Sequence, residues 1–383
     1  TDPLFDAWIE AAKAAGFPHV QDYNAGSHEG FGRSQYSIRN GRRSSSASAY
    51  LRPARKRPNL TVHTGALTTR ILTQGTRAIG VEYLQGGQTI RANADAEVIV
   101  SAGTFNTPQI LMLSGIGPAE HLREIGIAPL VDLPVGKNLQ DHVAALITYS
   151  RPNPGPFREA MRFDRMARGM VEAHFRGTGI ATVVPGGLHA FVKTRPGLAV
   201  PDIEFMFRGA PTNAALWFPL VKPAYADGFG IRPTLLHPQS RGAVKLASAD
   251  PRSPPRIFLN LLTVASDLGT LREGFKRARD VAMQAPLDPY RGEEKSPGPK
   301  VQTDAEIDSW LKRVVVTAHH PASTCPMGTR EDCVLDPELR VRGMEGLRVV
   351  DASAMPDLVS AHINATVLMM AEKAADLIRA RAA

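Results

Sequence analysis

The chain has 383 residues, of which 43% are hydrophobic and 21% are charged, so it is neither an intrinsically disordered chain nor a protein with one small core. Lysine and arginine (45) exceed aspartate and glutamate (37), but the net charge of +8 is spread along the chain. The densest basic run, residues 52–58, lacks the interleaved aromatic residues of a nucleic-acid site, and we expect no nucleic-acid partner.

Cysteine content and hydropathy indicate the compartment. The two cysteines, Cys325 and Cys333, are too few for a disulfide framework. No run of about 18 apolar residues occurs, so we predict no transmembrane segment and a cytoplasmic protein. The chain opens on an amphipathic helix pattern rather than a signal peptide, and without an initiator methionine it reads as the interior of a longer protein.

The first third of the chain shows alternating helix and strand patterns. Residues 3–15 predict a helix, and the polar, Gly- and Ser-rich residues 30–53 predict a loop that leads to a short helix. Residues 59–103 have short β-branched runs separated by turns, which predicts an antiparallel meander that finishes in a buried strand. A helix should then begin at Thr107-Pro108, with proline at its first position.

The remaining two thirds are less uniform. The pattern is weak over residues 146–230, strand-like over 233–262, and helical over 266–284 and 303–315. The chain ends in a strand, a loop and a long helix. Strand–turn–helix units at both ends, with β-structure between them, predict a discontinuous Rossmann-like α/β nucleotide domain with an inserted α+β domain on an antiparallel sheet.

The most specific stretch is GTFNTPQILMLSGIGP, residues 103–118, where a buried strand meets a helix whose free N–H groups could face an anion. Its spacing resembles in full the second signature of the glucose–methanol–choline (GMC) family of flavin oxidoreductases. Residues 135–142, 237–262, 319–328 and 346–378 also look like family segments. The resemblance is weakest over residues 150–230.

Membership in that family implies an α/β FAD-binding domain with an α+β substrate domain, and FAD as the cofactor. The implied domains follow the chain in four parts. Residues 1–58 form a substrate-domain helix with a flavin-side loop, and residues 59–145 form part of the FAD-binding domain. Residues 146–325 form the substrate-binding domain, and residues 326–383 form the C-terminal part of the FAD-binding domain. The family's Gly-x-Gly-x-x-Gly turn, which holds the ADP pyrophosphate, does not occur in the 383 residues. We therefore expect an N-terminal segment of the same protein as a partner, without which FAD binds poorly.

Two histidines carry the expected chemistry. In the family, the histidine before proline in His-Pro-x-x-Thr-Cys-x-Met-Gly lies at the flavin face, which here is His320, and a second His or Asn near the C-terminus corresponds to His362. A neutral imidazole can take the hydroxyl proton while hydride leaves the carbon for flavin N5, and a second group can orient the oxygen. We expect His320 to be the general base and His362 its partner, with exchanged or shared roles left open. His319 should point away, because neighbours in an extended segment alternate.

The resemblance also implies residues beside the FAD. Backbone groups near Asp351-Ala352 would meet the pyrophosphate, and the helix beginning near Asn364-Ala365 would direct its positive end at the flavin. Thr366 replaces a proline common at its position. The full set of expected cofactor contacts is Leu67, Gly103, Thr104, Asn138, Asp351, Ala352, Asn364, Ala365 and Thr366.

Other functions remain as alternatives. A zinc site of His319, His320, Cys325 and Cys333 matches no standard ligand spacing, and we expect no metal. A serine hydrolase would need a Gly-x-Ser-x-Gly elbow, which does not occur. A flavin-containing lyase of the same fold and a non-catalytic fragment unable to hold FAD stay open. The expected substrate is a small primary alcohol, and the electron acceptor is dioxygen or a quinone.

Overall fold

A computed structural model describes residues 2–26, 28–182 and 186–382. The chain divides into two compact units. Unit 1 comprises Thr1–Val62, Ala144–Leu236 and Leu268–Val316, and unit 2 comprises His63–Val143, His237–Asp267 and Thr317–Ala383. Residues 237–267 and 317–325, expected in the inserted domain, therefore lie in unit 2.

The described residues form nine α-helices and seventeen strands. The helices are α1 Leu4–Ala14, α2 Arg52–Ala54, α3 Gly103–Leu113, α4 Ala119–Glu124, α5 Pro156–Ala160, α6 Phe163–Arg176, α7 Ala265–Ala282, α8 Asp304–Val314 and α9 Ile363–Ala382. The strands are β1 Gly30–Arg33, β2 Ile38–Arg39, β3 Arg42–Arg43, β4 Leu67–Gln74, β5 Arg77–Gln85, β6 Gln88–Asn93, β7 Val98–Val100, β8 Val143–Ala144, β9 Ile147–Ser150, β10 Gly186–Val192, β11 Ile203–Arg208, β12 Gly228–Leu235, β13 Ala243–Lys245, β14 Arg256–Phe258, β15 Glu294–Ser296, β16 Val316–Thr317 and β17 Leu347–Val349. No helix in the described ranges is long and apolar enough to cross a membrane.

Unit 1 is built on an antiparallel sheet with the strand order β1-β10-β11-β12, to which β9 and β15 add. Helix α1 packs its apolar face against this sheet, where Trp8 stacks on Phe207 at 4.6 Å between ring centroids. The prediction of a loop over residues 30–53 is wrong at Gly30–Arg33, which form strand β1. Residues 146–230, where the sequence pattern is weak, contain strands β9, β10 and β11 of the sheet. Unit 1 is thus the predicted α+β part of the fold.

Unit 2 contains the α/β part. Strands β4, β5 and β6 form the predicted antiparallel meander. Strand β7 does not continue it, but pairs in parallel with β17, so that Val98 lies opposite Leu347 and Val100 opposite Val349. Buried Arg348 of β17 binds Glu97 at 2.8 Å, which fixes the pair at its amino end. Each of these two strands is followed by a turn and a helical segment, and ligands of α/β folds bind at that carboxyl edge.

Helix α3 begins four residues earlier than predicted. It starts at Gly103, and Pro108 lies inside it rather than at its first position. A proline at this place removes the hydrogen bond to the carbonyl of Thr104, four residues before it. The hydroxyl of Thr324 donates to that carbonyl at 2.7 Å instead. A tertiary contact therefore satisfies the group that the proline leaves open, and the helix extends back to the glycine.

Candidate active site

The site is organised around residues 317–325, which we call the histidine loop. Its backbone binds residues 136–142 on one side, through Gln140 N to Ala322 O at 3.1 Å and Ala322 N to Gln140 O at 2.9 Å. On the other side it binds the turn after β17, through Ser323 N to Ala352 O at 3.0 Å and Cys325 N to Ser353 O at 2.8 Å. Two segments distant in sequence thus hold the loop in one conformation.

His320 and His362 lie side by side in unit 2. Their ring centroids are 4.8 Å apart, with 62° between the planes, and both residues are half-buried. His362 directly precedes α9. His319 is exposed, and its φ of 64° shows that the loop is not extended there, so strand alternation is not what separates the two neighbouring histidines.

Asp141 anchors the backbone that carries His320. One carboxylate oxygen accepts a hydrogen bond from His320 N at 3.0 Å, and the other accepts one from the hydroxyl of Thr317. The Thr317 hydroxyl oxygen in turn accepts from His319 N at 2.8 Å. Asp141 is only 3% exposed, and burial raises the pKa of its carboxyl despite these hydrogen bonds. The loop therefore rests on a buried acid that was not predicted from the sequence.

Replacing Asp141 with asparagine should reduce the pH dependence of stability. A raised pKa means that the folded protein binds this proton more tightly than the unfolded chain does, so the free energy of unfolding should fall as pH rises above about 4, the unfolded value. An asparagine side chain has no such proton, and its amide can still accept from His320 N and donate to Thr317. We expect the difference in unfolding free energy between variant and wild type to move in the variant's favour with rising pH, by at most about 1.4 kcal/mol per pH unit.

Urea denaturation from pH 4 to pH 7 measures this difference. Asp95→Asn, at an exposed position, is the matched control and should show no such trend. A difference between Asp141→Asn and wild type that stays constant over this range would contradict the result.

His142 is a third imidazole in the cluster, and it too was not predicted from the sequence. Its Nδ1 lies 2.9 Å from Nδ1 of His320, and its Nε2 lies 3.0 Å from the carbonyl oxygen of Val359. The ring is fully buried and perpendicular to that of His320, with 5.1 Å between centroids. The nearest signal in the sequence was the family-like segment 135–142, which ends on this residue.

Asp351 ties together the two turns at the carboxyl edge of β7 and β17. One of its oxygens accepts from Gly103 N at 2.9 Å and from the Thr107 hydroxyl at 2.6 Å. The other accepts from Ser353 N at 2.7 Å and from the Ser353 hydroxyl at 2.5 Å. With four donors on its carboxylate, Asp351 braces the site through its side chain.

The remaining expected cofactor residues fall into two groups. Thr104 lies buried at the start of α3 and donates its hydroxyl to Pro321 O at 2.7 Å, and Ala352 is 8% exposed in the turn after β17. Asn138 bridges Ser323 O at 3.3 Å and Arg241 Nε at 2.9 Å. The others are an exposed residue at the start of β4 and three in the first turn of α9: Leu67, Asn364, Ala365 and Thr366.

The carboxyl edge of β7 and β17 has the properties of a cofactor site. Gly103 has a φ of 84°, and a Cβ there would meet no atom within 4 Å, so a ligand can approach its backbone closely. The hydroxyl of Ser323 is buried and has no hydrogen-bond partner among the described residues. Helices α3 and α9 both begin in unit 2, and helix N-termini favour anionic groups. These features fit a flavin dinucleotide, which offers acceptor oxygens along its length.

The two cysteines are both buried and free, and burial raises the pKa of the Cys325 thiol. Cys325 is the last residue of the histidine loop and is fully buried. Cys333 is 6% exposed and packs against Gly328.

Comparison with known proteins supports the family that the motifs suggest. Two sequence models described as GMC oxidoreductase match residues 1–144 and 238–371. An oxygen-dependent choline dehydrogenase of Pseudomonas putida is 41% identical over 384 residues, which is 99% of this chain and 67% of the relative. The chain thus spans about two thirds of the length of such relatives.

Solved structures agree. Pyridoxine 4-oxidase from Mesorbium loti is 29% identical with a TM-score of 0.85, over 98% of this chain and 69% of that one. A variant formate oxidase of Aspergillus oryzae, studied for its FAD modification, is 26% identical with a TM-score of 0.89, over 99% of this chain and 70% of that one. The chain belongs to the GMC oxidoreductase family, as a flavoprotein of the alcohol oxidase and dehydrogenase type whose cofactor is FAD.

Proposed function

We propose that the protein oxidises a small primary alcohol to an aldehyde, with His320 as the general base and His362 as the group that orients the alcohol oxygen. The observation that carries this proposal is the pairing of the two rings at 4.8 Å, with the backbone of His320 fixed on Asp141. Two imidazoles this close can both reach one substrate oxygen.

The chemistry of the imidazoles supports the roles. The hydroxyl proton of the alcohol leaves for a nitrogen of His320, so the O–H bond breaks and an N–H bond forms, and an imidazole is suited to this near neutral pH. His362 holds the oxygen at the angle the reaction needs. Its place before α9 puts it at the positive end of a helix of 20 residues, where developing negative charge on the oxygen is stabilised.

FAD, when bound, supplies the acceptor for the hydride that leaves the alcohol carbon. We assign its binding to the carboxyl edge of β7 and β17, with the backbone of Gly103 and Ala352 as the central contacts and Thr104, Asn138, Asp351 and Leu67 around them. The first turn of α9, with Asn364, Ala365 and Thr366, would face the ring system. The histidine loop packs on this edge through Ser323 and Cys325, which supports a base placed beside the cofactor.

A choline-like alcohol is the first substrate to test, because relatives 40–41% identical to this chain are named oxygen-dependent choline dehydrogenase. Those names also favour dioxygen over a quinone as the electron acceptor. Solved relatives include a pyridoxine oxidase and a fungal aryl-alcohol oxidase, so pyridine-type and aromatic alcohols belong in the same panel.

Turnover of an alcohol panel by FAD-loaded protein tests the proposal. We expect aldehyde formation from at least one primary alcohol, matched by oxygen uptake in air and by reduction of a dye acceptor without oxygen. The matching tertiary alcohols, which lack a hydrogen on the reacting carbon, should give no product. Aldehyde release from a cyanohydrin without any flavin reduction, and no alcohol turnover, would indicate a lyase and contradict the proposal.

A further inference from the structure

We infer that His142 is a positioning residue that holds His320 in the one tautomer able to act as a base. This inference rests on the proposed role of His320 but not on the identity of the alcohol. It starts from the hydrogen bonds of His142, which join a backbone carbonyl to the ring of His320 through one buried imidazole.

The carbonyl of Val359 fixes the first proton. A carbonyl oxygen can only accept, so the His142 Nε2 that lies 3.0 Å from it carries the hydrogen and donates. A neutral imidazole has one N–H, so Nδ1 of His142 then has a lone pair and accepts. The neutral form suits this ring because it is fully buried, and burial disfavours the charged form.

The second proton follows from the first. Nδ1 of His320 lies 2.9 Å from the accepting Nδ1 of His142, so it must be the donor in this hydrogen bond. A neutral His320 with hydrogen on Nδ1 has a lone pair on Nε2. That nitrogen is the one that can take the alcohol proton, and in the other tautomer it would already hold a hydrogen.

The hydrogen bond is also retained during the reaction. When Nε2 of His320 takes the proton, Nδ1 keeps its own hydrogen and still donates to His142. Neither ring has to turn, and His142 keeps its proton throughout. Fixed polar groups of this kind stabilise a transition state without reorganisation.

Nitrogen NMR on protein with 15N-labelled histidine reads the tautomers directly. In wild type we expect His320 with hydrogen on Nδ1 and His142 with hydrogen on Nε2, with signals assigned from single variants. In His142→Phe both hydrogen bonds are lost, and His320 should show substantial hydrogen on Nε2. In His142→Gln the amide can donate to Val359 and accept from His320, so the tautomer should be kept.

The rate of flavin reduction by the alcohol should depend on the tautomer of His320. We expect a slowing of about 10- to 100-fold in His142→Phe, less than the roughly 10⁴-fold that an imposed wrong tautomer costs a serine protease. His142→Gln should stay within about 3-fold of wild type. His121→Phe is the matched control, since it also removes an imidazole that accepts a hydrogen bond, from Leu246 N at 3.1 Å, and its reduction rate should be unchanged.

Two outcomes would overturn the inference. One is hydrogen on Nε2 of neutral His320 in wild type, a measurement that needs no variant to fold. The other is a His142→Phe protein whose reduction rate matches wild type, whatever its tautomer. If instead the tautomers are as inferred but His320→Ala reduces flavin normally, the proposed base is wrong while the tautomer assignment stands.

Discussion

Replacing His320 with alanine should slow flavin reduction by the alcohol about 10²–10⁴-fold, the usual contribution of a general base. The FAD absorbance should remain, because the proposed cofactor contacts are backbone groups near Gly103 and Ala352 rather than this ring. Stopped-flow reduction at matched FAD content measures the loss. His319→Ala is the matched control, as the neighbouring exposed histidine, and should reduce at the wild-type rate.

Changes at His362 extend the same experiment. His362→Asn keeps a hydrogen-bonding group for the alcohol oxygen and should lose about 10-fold, while His362→Ala removes it and should lose about 10²-fold. An unaffected rate in His320→Ala would place the proton acceptor elsewhere, with His362 the next candidate. Equal losses in the two His362 variants would mean that its hydrogen bond does not orient the substrate.

The pairing of His320 with His362 was available from the sequence because both lie in segments with fixed family spacing. His142 was not, although it lies in such a segment too. Its role depends on which ring meets which across 178 residues of chain, and on the carbonyl of Val359, and no local pattern encodes either. Asp141 was missed for the same reason, since its partners are a backbone N–H and a hydroxyl.

The errors in the fold have particular physical causes. The predicted start of α3 was wrong because proline usually takes the first position of a helix, whereas here Thr324, far away in sequence, supplies the hydrogen bond that the proline cannot.

Strand β1 was predicted as a loop because it contains Gly30 and Gly32. A Cβ at either position would meet a backbone oxygen of residues 18–20 at 2.7–2.8 Å, so these glycines mark a close approach of chains rather than a turn. The meander and helix α8, with its Thr303–Glu306 capping box, were predicted because their signals are local.

The turns that hold the site should also dominate the stability of unit 2. Replacing Asp351 with alanine removes a buried carboxylate that accepts four hydrogen bonds, and it leaves Gly103 N, the Thr107 hydroxyl and both donors of Ser353 without that acceptor. A hydrogen bond to a charged group contributes about 1.5–3 kcal/mol, and a buried donor left unsatisfied costs about 1–3 kcal/mol.

These effects overlap, so we expect Asp351→Ala to lower the free energy of unfolding by about 3–5 kcal/mol rather than by their sum. Asp351→Asn should lower the free energy of unfolding by less, because its amide keeps one accepting oxygen. Some loss should remain, because its NH₂ group faces two donors. Asp376→Ala, on an exposed face of α9, is the control and should stay within about 0.5 kcal/mol of wild type. Urea denaturation followed by circular dichroism measures all three. A loss below about 1 kcal/mol in Asp351→Ala would show that water replaces the carboxylate at no great cost. In that case the turn after β17 would be held by its backbone contacts to the histidine loop, through Ala352 and Ser353, and not by this side chain.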